Sequence, residues 1–255
     1  MSSVEVRYLG HAAFSIEHEG TKVLVDPFLT GNPKAAADAA ELEADAILVT
    51  HGHEDHLGDT AGIASRTGAP IATIVEIAAE LTEELGPDHV IHDVNLGGTI
   101  EFDWGWAQWV PAWHTSTTPR GTVNTPAGIV LNIGGRTIYH LGDTALFSDL
   151  ALPGQRHSLD LALIPIGGRY TMDRHDAVRA AALIGAPRIV PIHHNTFAAI
   201  DADAEAFADR LCHLIEDPGR LHTMRIAARE RAVSQYSSAR FASRLAEAYA
   251  RVLPD

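Results

Sequence analysis

The chain has 255 residues, 46% of them hydrophobic, which is enough to bury a full core as one domain with or without an appendage. Nineteen basic against 33 acidic side chains give a formal net charge of −14, which argues against a surface for nucleic acid or anionic membrane. No apolar run reaches transmembrane length, no signal-peptide pattern opens the chain, and the single Cys212 excludes an internal disulfide. These features favour a cytoplasmic protein acting on a small molecule, and they leave open whether it forms a homo-oligomer.

Apolar runs and periodicity predict an α/β fold. In the first part, strands are predicted over residues 4–9, 13–18, 22–25 and 46–50, and helices over 36–43, 57–66 and 76–85. Further along, strands are predicted over 99–102, 106–113, 128–133, 137–141, 161–165 and 188–192, with a helix over 173–184. Two strand-rich halves with interspersed helices fit a four-layer αββα sandwich, which we assign to residues 1–200.

The last part of the chain, residues 201–255, is predicted to be a helical C-terminal extension. From residue 204 to 253 it is consistent with three helices rich in Ala, Arg and Glu, the first two separated by Pro218-Gly219. The stretch from Leu214 through Ala227–Arg231 to Leu253 resembles the terminal helices of GT-B-fold glycosyltransferases. No sugar-nucleotide site precedes it, so we expect an appendage that covers the sandwich or contacts a subunit, without glycosyl transfer.

The run His51-Gly52-His53-Glu54-Asp55-His56 carries most of the chemical information. Imidazole is the commonest protein ligand for zinc-like ions, and carboxylate suits harder ions. Because so short a run cannot wrap one ion with four side chains, His51 and His53 are predicted to serve one ion, and Asp55 and His56 a second. Such a pair of ions holds hydroxide between them.

Two ions need more ligands, and three strand-like runs end in suitable residues. His114 follows the run over 106–113, Asp143 follows the run over 137–141, and His193-His194 follow the run over 188–192. Ligand sites in α/β proteins collect at such strand ends. A carboxylate such as Asp143 suits a position between two cations, because each oxygen can take one.

Together these motifs resemble the metallo-β-lactamase superfamily, and within it the bacterial metal-dependent hydrolases related to L-ascorbate-6-phosphate lactonase. The matching segments run in the expected order over about residues 1–200. They are Tyr8-Leu9-Gly10-His11, residues 26–33, residues 50–59, Pro126-Ala127-Gly128, residues 138–144, residues 165–172 and residues 191–197.

The resemblance implies a dinuclear hydrolase that uses a metal-bridging hydroxide on an ester, lactone or phosphodiester. By position, one zinc or manganese ion would bind His51, His53 and His114. The other would bind Asp55, His56 and His193, with Asp143 shared. Asp55 would also aim the hydroxide, and the leaving group would take its proton from the bridging water or from His194, where the family often has Tyr.

Five further residues are candidates for supporting the ligands or contacting substrate. Asp26 follows a strand and is predicted to orient a ligand imidazole, as a metal-bound histidine usually requires. His11 either reaches the pocket rim, where it would contact substrate, or is a loop histidine without a role. Arg169 and Tyr170 follow Gly167-Gly168 and either bind an oxyanion or phosphate or simply belong to a surface loop. Asn195 would hydrogen-bond the substrate or its own loop.

Two other classes of function remain open from the sequence. One is a non-catalytic binding module with structural metals, although structural zinc sites tend to be closed and Cys-rich. The other is a di-iron redox protein on the same fold. That use generally replaces one of the first two histidines by a carboxylate and adds a flavin domain, whereas this chain keeps His53 and has no flavin module.

Overall fold

The computed structural model describes residues 3–215, which form two six-stranded sheets flanked by helices. The strands are β1 Glu5–Gly10, β2 Ala13–His18, β3 Thr21–Val25, β4 Ala46–Leu48, β5 Ile71–Ile74, β6 Ile91–Val94, β7 Thr99–Phe102, β8 Gly105–Pro111, β9 Ala127–Ile133, β10 Arg136–His140, β11 Leu161–Pro165 and β12 Ile189–Ile192. The α-helices are α1 Glu54–Leu57, α2 Thr60–Thr67, α3 Val75–Leu85, α4 Leu152–Arg156, α5 Arg174–Ile184 and α6 Ala204–Ile215, and two 3₁₀ turns span Ser148–Ala151 and Ala198–Ile200.

The two sheets repeat one plan. The first has the order β1-β2-β3-β4-β5-β6 and the second the order β12-β11-β10-β9-β8-β7. Each begins as an antiparallel meander and continues with parallel strands, β3 to β6 in the first sheet and β10 to β12 in the second. The carboxyl ends of the parallel strands are where ligand-binding loops collect in α/β sheets.

Side-chain alternation along β9 shows how the layers pack. Ile129, Leu131 and Ile133 join the buried cluster shared with the first sheet and with α2 and α3. Val130 points the other way, into the cluster formed with α5 and Phe207 of α6. Both faces of the strand are therefore buried, and the predicted αββα sandwich is confirmed.

One predicted helix, over residues 36–43, is wrong. This segment is a series of turns whose backbone groups bond elsewhere: the Ala36 N–H donates to the Leu9 carbonyl at 2.9 Å, and the Ala40 N–H donates to Asp38 Oδ1 at 2.9 Å. An aspartate that accepts from the backbone two residues on stabilises a turn in competition with a helix.

The helix predicted over 57–66 is present as α2, but it begins only at Thr60. Gly58 has φ +37°, and a Cβ there would lie 2.6 Å from Phe28 Cα. The backbone therefore packs closely against Phe28 and turns at this glycine. The Asp59 N–H then donates to the Pro27 carbonyl before α2 begins. The other predicted elements are present within a few residues, but β5, β6, α1 and α4 were not anticipated.

Of the predicted extension, the structure describes only its first helix, α6. Phe207 on α6 is 1% exposed and packs with α5 against the second sheet. The other two predicted tail helices lie outside the described residues. Within residues 3–215, no helix is long and apolar enough to cross a membrane.

Candidate metal centre

The predicted ligands meet at one edge of the sandwich, on loops from both sheets. The motif His51–His56 follows β4 and enters α1. His114, Asp143 and His193 follow β8, β10 and β12, and His11 lies in the turn between β1 and β2. Strands far apart in sequence therefore deliver their terminal residues to one place.

The first group consists of His51, His53, His114 and Asp143, whose ligating atoms all lie within 4.8 Å of one another. His51 Nε2 is 3.1 Å from His53 Nδ1. Two nitrogens at the usual zinc–nitrogen distance on a tetrahedral ion are about 3.3 Å apart, so this spacing fits a shared cation.

The second group consists of His11, Asp55, His56 and His193, again within 4.8 Å. Asp143 lies between the groups: its Oδ1 is 3.2 Å from His56 Nε2, and its Oδ2 is 3.0 Å from His193 Nε2 and 3.5 Å from His114 Nε2. One carboxylate thus faces imidazoles of both groups, each oxygen in a different direction.

The polar atoms of this centre fit a cation. His56 Nε2 and Asp143 Oδ1 are buried without a hydrogen-bond partner. Burial alone would raise the pKa of Asp143, but His193 and His56 hold that pKa well below its usual range. Burial lowers the pKa of His51 well below its usual value. Ionised Asp143 and neutral His51 are the forms that bind metal.

His56 behaves differently from the other imidazoles. Burial opposes its charge, yet the carboxylates of Asp143 and Asp26 outweigh burial and raise the pKa of His56 well above its usual value. A protonated His56 supplies the positive charge between the carboxylates of Asp143 and Asp26. A metal ion would supply that charge instead and displace the proton.

Asp26 orients histidines of both groups. It is fully buried, and its Oδ2 accepts from His56 Nδ1 at 2.7 Å and from Thr50 Oγ1 at 2.6 Å. Since the Thr50 hydroxyl proton is used in that bond, Thr50 Oγ1 accepts from His51 Nδ1, 3.0 Å away. In both imidazoles Nδ1 is therefore engaged on the side away from the centre and Nε2 is directed into it, which is the usual role of a carboxylate behind a metal-bound histidine.

His11 lies deeper than the sequence predicted. It is fully buried rather than at the rim, with Nε2 3.0 Å from Asp55 Oδ2 and Nδ1 2.9 Å from Thr196 Oγ1. Burial lowers the pKa of His11 to about 4, so the ring is neutral, donates through Nε2 to the Asp55 carboxylate and accepts from Thr196. With that proton in place, His11 fixes the orientation of Asp55.

We expect replacement of His11 by Asn to weaken binding of one metal ion by about 10- to 100-fold, the usual cost of removing a group that orients a ligand. His11 has φ +61°, which Asn tolerates well, so the backbone should be retained. Metal titration of the purified variant measures the effect. His18→Asn, at the far end of β2, is the matched control, and an unchanged titration for His11→Asn would contradict this role.

Close packing joins the motif loop to the loop that carries His114. The Gly52 N–H donates to Ser116 Oγ at 2.9 Å and to Asn124 Oδ1 at 3.1 Å. A Cβ on Gly52 would lie 2.5 Å from Asn124 Nδ2 and 2.8 Å from Thr118 Cγ2. Sequence reasoning missed these partners, as it missed Thr50, because Ser, Thr and Asn carry no spacing signal.

The remaining candidates lie at the edge of the centre or outside it. Arg169 and Tyr170 are exposed on the loop after β11, and Asn195 Oδ1 accepts from the Ala202 N–H at 2.8 Å, so it bonds its own loop. His194 belongs to neither group. His193 has φ +53°, which turns the chain at the ligand. No contact of the His194 side chain with the centre is found among the described residues.

Comparison with known proteins agrees with this geometry. Residues 5–193 match the Beta-lactamase superfamily domain. The UPF0173 metal-dependent hydrolase of Thermus thermophilus is 50% identical over 208 residues, covering 81% of this chain and 91% of its own. That of Carboxydothermus hydrogenoformans is 43% identical over 210 residues, covering 81% and 92%.

A solved structure supports the same assignment. Igni18, a metallo hydrolase from Ignicoccus hospitalis, has 34% sequence identity and a TM-score of 0.74, covering 82% of this chain and 91% of its own. The chain therefore belongs to the metallo-β-lactamase superfamily, within its UPF0173 metal-dependent hydrolases, and is a metal-dependent hydrolase.

Proposed function

We propose that this hydrolase binds two divalent ions, zinc or manganese, and cleaves an ester, lactone or phosphodiester bond in a small molecule. The observation that carries the proposal is the Asp143 carboxylate, which directs one oxygen at His56 and the other at His114 and His193. His51, His53 and His114 would hold one ion, and Asp55, His56 and His193 the other. A single metal site would not need a carboxylate facing both sets of imidazoles.

When bound, two such ions bring the pKa of a water between them toward neutrality and polarise a carbonyl or phosphoryl oxygen of the substrate. The chain supplies the fixed surroundings. Asp143, His51 and His56 are buried, so their orientations cost little at the moment of reaction. Asp26 and Thr50 keep the imidazoles in the tautomers that present Nε2 to the centre.

Asp55 is suited to a second task besides ligation. Its side chain is 32% exposed, and His11 occupies only its Oδ2. The remaining oxygen is available to accept a hydrogen bond from the attacking water and so to aim it. The leaving group would take its proton from that water or from His194, which directly follows His193.

Arg169 is a candidate for binding an anionic part of the substrate. It is exposed on a loop that packs against His193, where a Cβ on Gly167 would lie 2.3 Å from the His193 carbonyl oxygen. A guanidinium there can hold a carboxylate or phosphate in a two-point contact. The net charge of −14 does not prevent this, since the metal ions offset negative charge locally.

The test is a hydrolysis panel on metal-loaded protein, containing an aryl phosphodiester, an aryl ester and several sugar lactones, each assayed with and without chelator. We expect turnover of one class, its loss on chelation, and its recovery when zinc or manganese is restored. Elemental analysis of the same sample should give about two ions per chain.

Three results would contradict the proposal. Turnover that survives complete removal of metal would exclude hydrolysis at this centre. Two tightly held ions with no turnover of any class would favour a binding module instead. Iron with a visible absorption band would favour the di-iron alternative.

A further inference from the structure

Exposed aromatic side chains surround the candidate metal centre. Among the described residues, the most exposed aromatics are Trp113 at 61%, Tyr170 at 55% and Phe197 at 42%. Each lies on a loop that carries or adjoins a predicted ligand. Large apolar side chains gathered at one place on a surface usually mark a binding site, whereas scattered ones do not.

Trp113 forms the first part of this surface, together with Phe147. Their rings are stacked with centroids 5.6 Å apart and an interplanar angle of 13°. Trp113 directly precedes His114, its N–H donates to Thr144 Oγ1 at 3.0 Å, and its carbonyl accepts from the Ala145 N–H at 3.0 Å. The stacked pair is thus fixed to the two loops that carry His114 and Asp143.

Phe197 forms the second part, beside the other group of ligands. Its ring centroid is 5.8 Å from that of His11 and 6.4 Å from that of Phe28. The His11 ring lies 4.2 Å from the His193 ring. An exposed aromatic ring therefore lies beside His11, a member of the second group.

Tyr170 lies on the loop that follows β11. Its loop is joined to the Asp143 loop, because the Met172 N–H donates to the Thr144 carbonyl at 3.1 Å. The Arg169 guanidinium carbon lies 5.6 Å from the centroid of the Tyr170 ring. We call Trp113, Phe147, Tyr170 and Phe197 together the aromatic rim.

We infer that the aromatic rim binds an apolar, flat group of the substrate, so that the preferred ester, lactone or phosphodiester carries an aryl or comparably apolar substituent. The inference rests on the proposed function, since it assumes that the scissile bond lies at the metal centre. Exposed aromatic rings gain contact area and favourable ring–ring geometry only from a partner with its own apolar face. Trp113 precedes His114 and the Phe197 ring lies beside that of His11, so these two rim residues adjoin the centre where the scissile bond would lie.

The test compares two phosphonates binding to metal-loaded protein by calorimetry. Methylphosphonate and benzylphosphonate share the anionic head group, and only the second has a ring. We expect benzylphosphonate to bind about tenfold more tightly, and Trp113→Ala to reduce this preference to below about twofold. Metal content and thermal melting of the variant are measured on the same sample, so that a misfolded protein is recognised.

Trp104→Ala is the matched control. Trp104 stacks on Phe102 with ring centroids 4.6 Å apart and an interplanar angle of 12°, at the opposite end of β8 from His114. The Trp104→Ala variant removes a similar stacked pair and leaves the aromatic rim intact. The tenfold preference for benzylphosphonate should therefore be retained. Loss of the preference in this variant as well would overturn the assignment to the rim.

The remaining outcomes separate the two proposals. If the two phosphonates bind with equal affinity, the ring adds nothing. That result would overturn the aromatic rim and leave the proposed hydrolytic centre unaffected. If neither phosphonate binds, the proposed centre fails and the rim falls with it. A Trp113→Ala variant that keeps the preference but changes its oligomeric mass assigns the rim to a contact between copies of the chain.

Discussion

Replacing Asp143 by Ala should abolish turnover, by about a thousandfold or more, and lower the bound metal from about two ions per chain to below one. The reason is the position of this side chain, which is 2% exposed and faces His56, His114 and His193 within 3.5 Å. Without the carboxylate, these imidazoles lose an anion that all three face, and two cations bound there would repel each other more strongly. Elemental analysis and the substrate identified by the panel measure the two effects.

Asp149→Ala is the matched control for this variant. Asp149 is an exposed aspartate six residues further on, bonded to Ser148, and its loss should change neither metal content nor rate. Asp143→Asn keeps the size of the side chain and distinguishes loss of charge from creation of a cavity. A fully active Asp143→Ala protein would overturn the site assignment.

Replacing Asp26 by Ala should cost both stability and metal affinity. The side chain accepts from Thr50 N at 2.8 Å, Thr50 Oγ1 at 2.6 Å and His56 Nδ1 at 2.7 Å, all in the fully buried interior. Leaving buried donors without an acceptor costs about 1–3 kcal/mol each, so we expect a loss of roughly 3–5 kcal/mol and a fall in Tm of about 10 °C. Metal affinity should fall about 10- to 100-fold, because His56 and His51 lose the group that orients them.

Two further variants separate these effects. Asp160 also accepts a hydrogen bond from a strand N–H, that of Thr137 at 2.9 Å. It lies near the start of β10, at the end of that strand away from the metal centre. Asp160→Ala should cost only about 1 kcal/mol and leave metal binding unchanged. Asp26→Asn keeps an acceptor for Thr50 N yet presents an amide to His56 Nδ1, so it should lose metal affinity with a smaller fall in Tm. Metal binding unchanged in both Asp26 variants would show that the orientation of His56 does not depend on this residue.

Local pattern was enough to predict most of the fold. Alternating and continuous apolar runs predicted β1 to β4 and β7 to β12 to within a few residues, because burial of one or both faces imposes its own period on the sequence. The errors occur where a distant contact decides. Residues 36–43 have helical composition, but their backbone N–H groups bond to Leu9 and to Asp38 within the segment. The chain turns between α1 and α2 because Gly58 packs closely against Phe28.

The candidate ligands were also predictable from the sequence. The six-residue motif His51–His56 contains predicted ligands for both ions. Histidine or aspartate directly after a strand is an uncommon pattern that points to metal binding. The structure brings His51, His53, His56, His114, Asp55, Asp143 and His193 together. Their assignment as ligands stays a prediction until metal is measured.

By itself, the sequence determined the sandwich and the chemical types of group at the strand ends, because periodicity and unusual residue clusters are local properties. Only the tertiary structure decided how those groups are oriented. The Asp26–Thr50–His51 relay spans 25 residues, and the His11–Thr196 bond joins positions 185 residues apart. Hydrogen-bond partners of this kind are chosen by proximity in space, so a threonine or a buried histidine has no pattern along the chain that reveals its role. The aromatic rim likewise exists only where four loops from separate strands meet.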